Sequence, residues 1–169
     1  MKLFITVCLL ITQFLIARAQ PDNIRHSYLN ARNPEGITNF LALSEKLNLN
    51  VAAEKGYRGV ALAMYADIAE GVYTKLEYFN RGKDFLESAI KEQPHNAEIR
   101  FLRLTVQAEA PFMLGYSGEI EEDVEVVYKA FSSGQIHSNH FFWSVALRYI
   151  IACDEILQEK RNQFKKFSS

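Results

Sequence analysis

The sequence predicts an all-α fold in which successive helices pack as antiparallel pairs. Apolar residues recur at alternating spacings of three and four, which is the helical period, and no run alternates apolar and polar residues as a strand would. The four prolines fall at the ends of periodic segments: Pro21, Pro34, Pro94 and Pro111. Short connections favour antiparallel neighbours, arranged either as a superhelix or as a plain helical bundle.

The first residues have the pattern of a secretory signal peptide. Lys2 supplies a positive charge, residues 3–16 are a nearly unbroken apolar stretch, and Ala17-Arg18-Ala19 has the small residues of a cleavage site. The stretch is short for a helix that spans a hydrocarbon core of about 30 Å, and a retained anchor is the alternative. We therefore expect residues 1–19 to be a signal peptide and residues 20–169 to form one domain, periplasmic or secreted.

Charge and cysteine content exclude several classes of protein. The chain has 19 basic and 20 acidic residues, so no basic surplus favours nucleic acid. No segment after the signal peptide is apolar enough for stable membrane insertion. Cys8 lies in the signal peptide, which leaves Cys153 without a partner for an internal disulfide and excludes a cysteine-rich zinc site. We expect no cofactor.

Local signals place the first three helices. Residues 22–30 are a short helix candidate. Asn33 followed by Pro34 has the pattern of an N-cap and a proline at the first helical position, so we expect a helix over residues 34–47. After a short turn, helical spacing predicts a longer helix over residues 51–69.

Small residues form a stripe along this longer helix. They recur at spacings of three and four: Ala52, Gly56, Gly59, Ala63 and Ala66. Each glycine inside a helix costs about 1 kcal/mol relative to alanine. A surface without side chains lets another backbone come close, so we expect a neighbouring helix to cross here.

A proline separates the next two predicted helices. Helical spacing predicts a helix over residues 73–92, and Pro94 ends it because the residue before a proline disfavours helical backbone. Asn96 is the expected N-cap of the following helix. Pro111 and Gly115 end that helix.

Two further helices complete the chain. Ser117 is the expected N-cap of the first, whose early turns carry several acids that suit the positive helix end. A break follows at residues 132–134. The last helix is expected to begin near Ser138 and to continue past Phe164. The sequence therefore predicts six substantial helices, or seven with residues 22–30.

Five residues in the middle of the chain have a characteristic spacing: Tyr73, Gly82, Leu86, Ala89 and Pro94. They resemble the tyrosine, first small residue, large apolar residue, second small residue and terminal proline of a tetratricopeptide repeat. The resemblance implies that Gly82 and Ala89 lie where two helices cross closely. It also implies that Leu86 fills the gap between helix pairs and that Pro94 ends the second helix.

The repeat pattern does not extend upstream, because Asp67, Ala69 and Glu70 stand at its tryptophan, leucine and glycine positions. As a whole the chain resembles small exported tetratricopeptide-like proteins of bacteria. That likeness implies a scaffold that holds a protein or peptide partner on the concave face of stacked helix pairs, with no catalytic activity.

Three polar residues lie on one face of a predicted helix, namely Arg100, Arg103 and Gln107. Guanidinium groups bind carboxylates well, so these residues are the candidate lining of a ligand-binding groove. The alternative is that the two arginines pair with Glu87 or Asp123 across helices and stabilise the fold.

Two other functions remain open. His137 and His140 have a spacing that shares a metal ion if a third ligand comes from His26, His95 or a carboxylate of residues 119–123, which would make the chain a metal-binding or enzymatic bundle. The acidic run of residues 119–125 could itself bind a cation or a basic partner. A polar helix entrance is the simpler interpretation of the two histidines. A structural subunit of an oligomer is the other function. Because no phosphate loop or nucleophile elbow is present, we assign no catalytic or metal-binding residue.

Overall fold

The computed structural model describes residues 22–168, so the predicted signal peptide lies outside the described residues. Within that range the chain forms helices and turns and contains no strand, which confirms the all-α fold class. The helices are α1 at residues 22–30, α2 Pro34–Ser44, α3 Ala52–Ile68, α4 Val72–Glu92, α5 Ala97–Glu109, α6 Ile120–Ser132, α7 Phe141–Ala152 and α8 Gln158–Phe164. Two 3₁₀ turns occupy Phe112–Leu114 and Lys165–Phe167. None of the helices in residues 22–168 is both long and apolar enough to cross a membrane.

Two of the predicted N-caps are confirmed and one is wrong. The Asn33 side chain accepts a hydrogen bond from the Gly36 amide at 2.8 Å, and Asn96 caps the start of α5 in the same way. Ser117 does not cap α6, which begins at Ile120. Tyr116, which precedes Ser117, is buried and packs against the ring of Phe79 in α4. This contact keeps the chain around Ser117 in a non-helical connection.

Helices α3 and α4 run antiparallel and their backbones touch at two glycines. A Cβ atom on Gly82 would stand 2.6 Å from the Gly59 carbonyl oxygen and 2.8 Å from the Ala63 nitrogen. Lys55 at the start of α3 pairs with Glu92 at the end of α4, as antiparallel packing requires. The close crossing expected from the stripe of small residues is therefore confirmed.

Helix α5 lies at the centre of the fold, since ten of its thirteen residues are buried. It packs against α3, α4 and α6. It also contacts α1 through the ion pair of Arg25 with Glu98, and α7 through the rings of Phe101 and Phe142, whose centres are 5.8 Å apart. Helix α5 therefore has neighbours on several sides, namely α1, α3, α4, α6 and α7.

The single continuous helix expected from Ser138 is wrong, because residues 153–157 form a non-helical connection between α7 and α8. Ile156 in this connection and Phe164 in α8 are buried, and the Phe164 ring lies 6.1 Å from that of Phe131 in α6. A straight helix over the predicted span would extend about 40 Å. It would carry both apolar side chains beyond α6, and the break returns them to the core.

The five residues that resemble a tetratricopeptide repeat lie on or just after one helix. Gly82, Leu86 and Ala89 are buried in α4, as the resemblance implies. Tyr73 is 91% exposed, because it stands in the first turn of α4, beyond the end of α3. A tetratricopeptide repeat is a helix–turn–helix unit, whereas α4 runs unbroken from Tyr73 to Ala89. The expected packing role of Tyr73 is therefore wrong.

We expect Gly82→Ala to lower the free energy of unfolding by about 1–3 kcal/mol. The added methyl group would press on the backbone of α3, and this overpacking outweighs the gain of about 1 kcal/mol in helix propensity. Urea unfolding followed by circular dichroism measures the change. The matched control is Gly118→Ala, whose methyl group would meet no atom within 4 Å and should change stability by less than about 0.5 kcal/mol. Equal stability of the two variants would contradict the close crossing.

Candidate functional site

The three residues predicted to line a groove are buried inside the bundle. Arg100 and Arg103 point from α5 towards α6, where the fully buried Asp123 accepts three hydrogen bonds from their guanidinium groups at 2.8–2.9 Å. Gln107, one turn further along α5, donates to the Glu119 carboxylate at 2.7 Å. These interactions place the residues in the interface between α5 and α6.

The same ion pairs extend to α4 and to the chain before α6. Arg103 also donates to Glu87 at 2.9 Å, and Tyr116 donates to the other oxygen of Glu87 at 2.7 Å. Arg100 donates to Glu122 at 2.9 Å. The structure therefore has the pairing with Glu87 and Asp123 that was the alternative from the sequence. The groove prediction for Arg100, Arg103 and Gln107 is wrong, because all three residues are buried and their side chains donate to carboxylates inside the fold.

Burial and charge act against each other in this cluster. Burial raises the pKa of Asp123 above its ordinary value, although the hydrogen bonds and charges of Arg103 and Arg100 lower it. Burial also lowers the pKa of Arg103, but its bonds to Asp123 and the charge of Glu87 outweigh that effect and hold the proton on the guanidinium. The cluster therefore keeps two buried cations by supplying them with anions.

A second, half-buried ion pair has no signal in the sequence. Arg25 in α1 donates two hydrogen bonds to Glu98 in α5, at 2.7 and 2.5 Å, and Tyr57 in α3 donates a third at 2.5 Å. The hydrogen bond to Glu98 raises the pKa of Arg25. Burial, and then the charge of Glu98, raises the pKa of Tyr57. The three residues come from distant parts of the chain, and no local pattern links them.

In the part of the chain that the structure describes, the residues considered for a metal ion do not come together at one site. His137 and His140 are both exposed at the start of α7. The acidic run is divided, because Asp123 and Glu122 face the arginines of α5 whereas Glu125 pairs with Lys160 of α8. In residues 22–168 no group of three histidine, cysteine, aspartate or glutamate side chains is placed to hold a metal ion.

A cavity of about 530 Å³ opens at the end of the bundle where α5 finishes. Six helices contribute to its wall, namely α1, α2, α3, α4, α5 and α7. Its apolar side chains include Leu29, Val60, Phe79, Phe101, Val106 and Val145. Ligand pockets commonly enclose roughly 300–1,000 Å³ with mostly apolar walls. We call this space the apolar cavity.

The hydroxyl groups inside the cavity bond to each other. Tyr28 donates to the Thr105 hydroxyl at 3.2 Å, and Thr105 donates to the Leu102 carbonyl at 2.9 Å. Burial raises the pKa of Tyr28, and the hydrogen bond with Thr105 opposes the rise. The wall of the cavity therefore presents mainly carbon to an occupant.

Four exposed charged residues stand around the opening, and we call them the rim: Arg32, Asp67, Lys75 and Glu109. Two are cations and two are anions. Three of them bond within the protein, since Arg32 donates to the Leu29 carbonyl at 2.9 Å, Lys75 donates to the Asp67 carbonyl at 2.7 Å and Glu109 accepts from Tyr149 at 3.1 Å. The rim thus offers both signs of charge to a molecule that enters the cavity.

Large apolar side chains are exposed beside the same opening. Val72 and Leu76 reach it from α4, and Met113, which is 87% exposed, reaches it from the 3₁₀ turn after α5. Phe112 on that turn is 94% exposed. Neighbouring exposed apolar residues rimmed by charge are typical of binding surfaces. From the sequence, Pro111 and Gly115 predicted only that a helix ends here.

Comparison with protein-family models, with curated proteins and with solved structures finds no match to this chain. The chemistry of the cavity, its rim and the surrounding ion pairs therefore carries the functional argument. The two ion-pair clusters join helices to one another, and the apolar cavity has room for an occupant.

We expect Asp123→Asn to lower the free energy of unfolding by about 3–5 kcal/mol, because it leaves two buried guanidinium groups without their shared anion. Thermal or urea unfolding measures the loss. The control Glu121→Gln removes one negative charge from the exposed face of the same helical turn and should cost less than about 0.5 kcal/mol. Similar losses in the two variants would show that total helix charge, rather than the buried contact, sets the stability.

Proposed function

We propose that the chain is an exported scaffold that holds a peptide segment of a partner protein by burying a bulky apolar side chain in the apolar cavity. The observation that carries the proposal is the combination of an apolar wall with an exposed rim of both charges. The proposal keeps the binding function that the tetratricopeptide resemblance implies and assigns it to the end of the bundle. Export rests on the signal-peptide pattern of residues 1–19.

The wall of the cavity favours an apolar anchor. Val60, Phe79 and Val106 present only carbon, and the hydroxyl groups of Tyr28 and Thr105 are already bonded to each other. A polar small molecule would lose its bonds to water on entering and find few partners in return. A leucine, methionine or phenylalanine side chain has no such bonds to lose, and its burial supplies roughly 1.5–3 kcal/mol.

The rim favours a polypeptide around that anchor. Protein interfaces place an apolar centre inside a polar, solvent-accessible border. Arg32 and Lys75 can pair with acids of the partner, while Asp67 and Glu109 can pair with its bases. Such exposed pairs contribute little energy each, but they select the register of the bound segment.

A display library of random dodecamer peptides tests this proposal, with the protein expressed from the full-length sequence as the target. We expect the selected peptides to share a bulky apolar residue flanked by charges. Leu76→Glu, at the edge of the cavity, should weaken their binding by about tenfold or more in calorimetry, because it places a charge against the apolar anchor.

The matched control for this experiment is Leu157→Glu. Leu157 is also exposed, but it lies before α8 and outside the cavity lining. Its variant should bind the selected peptides with unchanged affinity. Failure to select any peptide, or equal affinity of both glutamate variants, would overturn the assignment of the cavity as the binding site.

A further inference from the structure

The 3₁₀ turn after α5 presents two apolar side chains on a well-defined backbone. Phe112 and Met113 are 94% and 87% exposed. Hydrogen bonds from Leu114 to Pro111 at 2.9 Å and from Gly115 to Phe112 at 3.0 Å close the turn. Gly115 has a φ of 58°, a left-handed conformation that glycine adopts without strain. We call residues 111–114 the apolar turn.

The apolar turn and the apolar cavity belong to one surface. Pro111, Met113 and Leu114 contribute to the edge of the cavity, whereas Phe112 does not line it. Phe112 is therefore an exposed aromatic side chain held beside an apolar cavity that it does not fill. Exposed aromatic groups of this kind are common anchors of protein interfaces.

We propose that the partner whose segment enters the cavity is a second copy of this chain, with the Phe112 side chain of each copy inserted into the cavity of the other. This inference rests on the proposed function, for which it names the partner. It makes the chain a homodimer in which the apolar turn is the inserted segment.

Size and shape permit this insertion. A buried phenylalanine contributes roughly 150–250 Å² of contact surface, and the cavity of about 530 Å³ has room for its ring. Because Pro111 precedes Phe112 and hydrogen bonds close the turn, little conformational freedom is lost on insertion. The side chain is thus presented in a form ready to bind.

The charges of the rim favour a copy of the same surface. An interface with a two-fold axis brings a patch against itself, so the patch must be complementary to itself. The rim has two cations, Arg32 and Lys75, and two anions, Asp67 and Glu109, which can pair across such an axis. An anionic membrane would instead favour a patch with excess positive charge.

The position of Phe112 next to the cavity favours a closed dimer over a filament. Reciprocal contacts close when the inserted group and its receptor lie in one patch, because one rotation satisfies both. If the inserted group lay on the far side of the molecule from the cavity, each contact would add another copy and an open filament would form. Phe112 and the edge residue Met113 are adjacent in the chain, so both contacts form around one axis.

Analytical ultracentrifugation of protein expressed from the full-length sequence tests the dimer. We expect a concentration-dependent monomer–dimer equilibrium. Phe112→Ser should raise the dimer dissociation constant by roughly 30-fold or more, as for loss of an interface anchor. The matched control is Tyr73→Ser, which removes another exposed aromatic side chain that lies outside the cavity lining. It should leave the constant unchanged.

A mixing experiment tests the reciprocal contact. A homodimer of the Phe112→Ser chain has two intact cavities but no Phe112 side chain to insert. A homodimer of the Leu76→Glu chain has both Phe112 side chains but no intact cavity. A mixture of the two variants regains one pair, because the Phe112 of the Leu76→Glu chain can enter the intact cavity of the Phe112→Ser chain. We expect the mixed dimer to be tighter than either homodimer. No gain on mixing would overturn reciprocal insertion.

Other outcomes separate this inference from the proposed function. A chain that stays monomeric at every concentration, or a dimer that survives Phe112→Ser, overturns the inference. If the selected dodecamers still bind, the proposed function stands with a different partner.

A synthetic peptide of residues 109–116 should bind the Phe112→Ser chain, and the same peptide carrying Phe112→Ser should not. Phe112-dependent flotation of a monomer with anionic vesicles would assign the turn to a membrane instead.

Discussion

Two guanidinium groups on a helix that is buried on almost every side require an internal anion, and Asp123 supplies it. Its carboxylate accepts bonds from Arg100 and Arg103 of α5. Because one carboxylate of α6 bonds to both arginines of α5, this contact holds α6 against α5. Glu87 of α4 also accepts a hydrogen bond from Arg103, so α4 is held by the same cluster. The order of the helices around α5 follows from this cluster and from the glycine crossing that joins α3 to α4.

The cavity arises where this tight packing stops. Midway along α3, Gly59 and Ala63 meet the backbone of α4 at Gly82, and Ala63 and Ala66 also line the cavity. Short side chains bring the helices together at the crossing and leave space where the crossing ends. The end of α5 adds Val106 and the exposed turn at residues 112–114 to the opening. The stripe of small residues on α3 thus permits both the close packing against α4 and the space for an occupant.

Local sequence signals predicted the features that depend on neighbouring residues. The all-α class, the Asn33 and Asn96 caps and the small-residue crossing each follow from spacing within a few turns. The exposed position of Tyr73 and the break before α8 depend on where other helices end. The spacing of apolar residues within one segment does not reveal those positions. Likewise Arg103 was recognised as important, but only the packing of α6 shows that it faces inward. The cavity needs six helices at once, so no single segment indicates it.

The ion pair of Arg25 with Glu98 constrains the order in which the molecule can assemble. The two residues are separated by 73 positions, and Tyr57, which completes the contact, lies between them. Synthesis delivers α1 first. Its buried partner emerges only after α2, α3 and α4, and closing so long a segment costs entropy before the contact repays it. Among the described helices α1 is therefore made first, yet until Glu98 has been made Arg25 lacks the carboxylate of α5 with which it pairs in the folded chain.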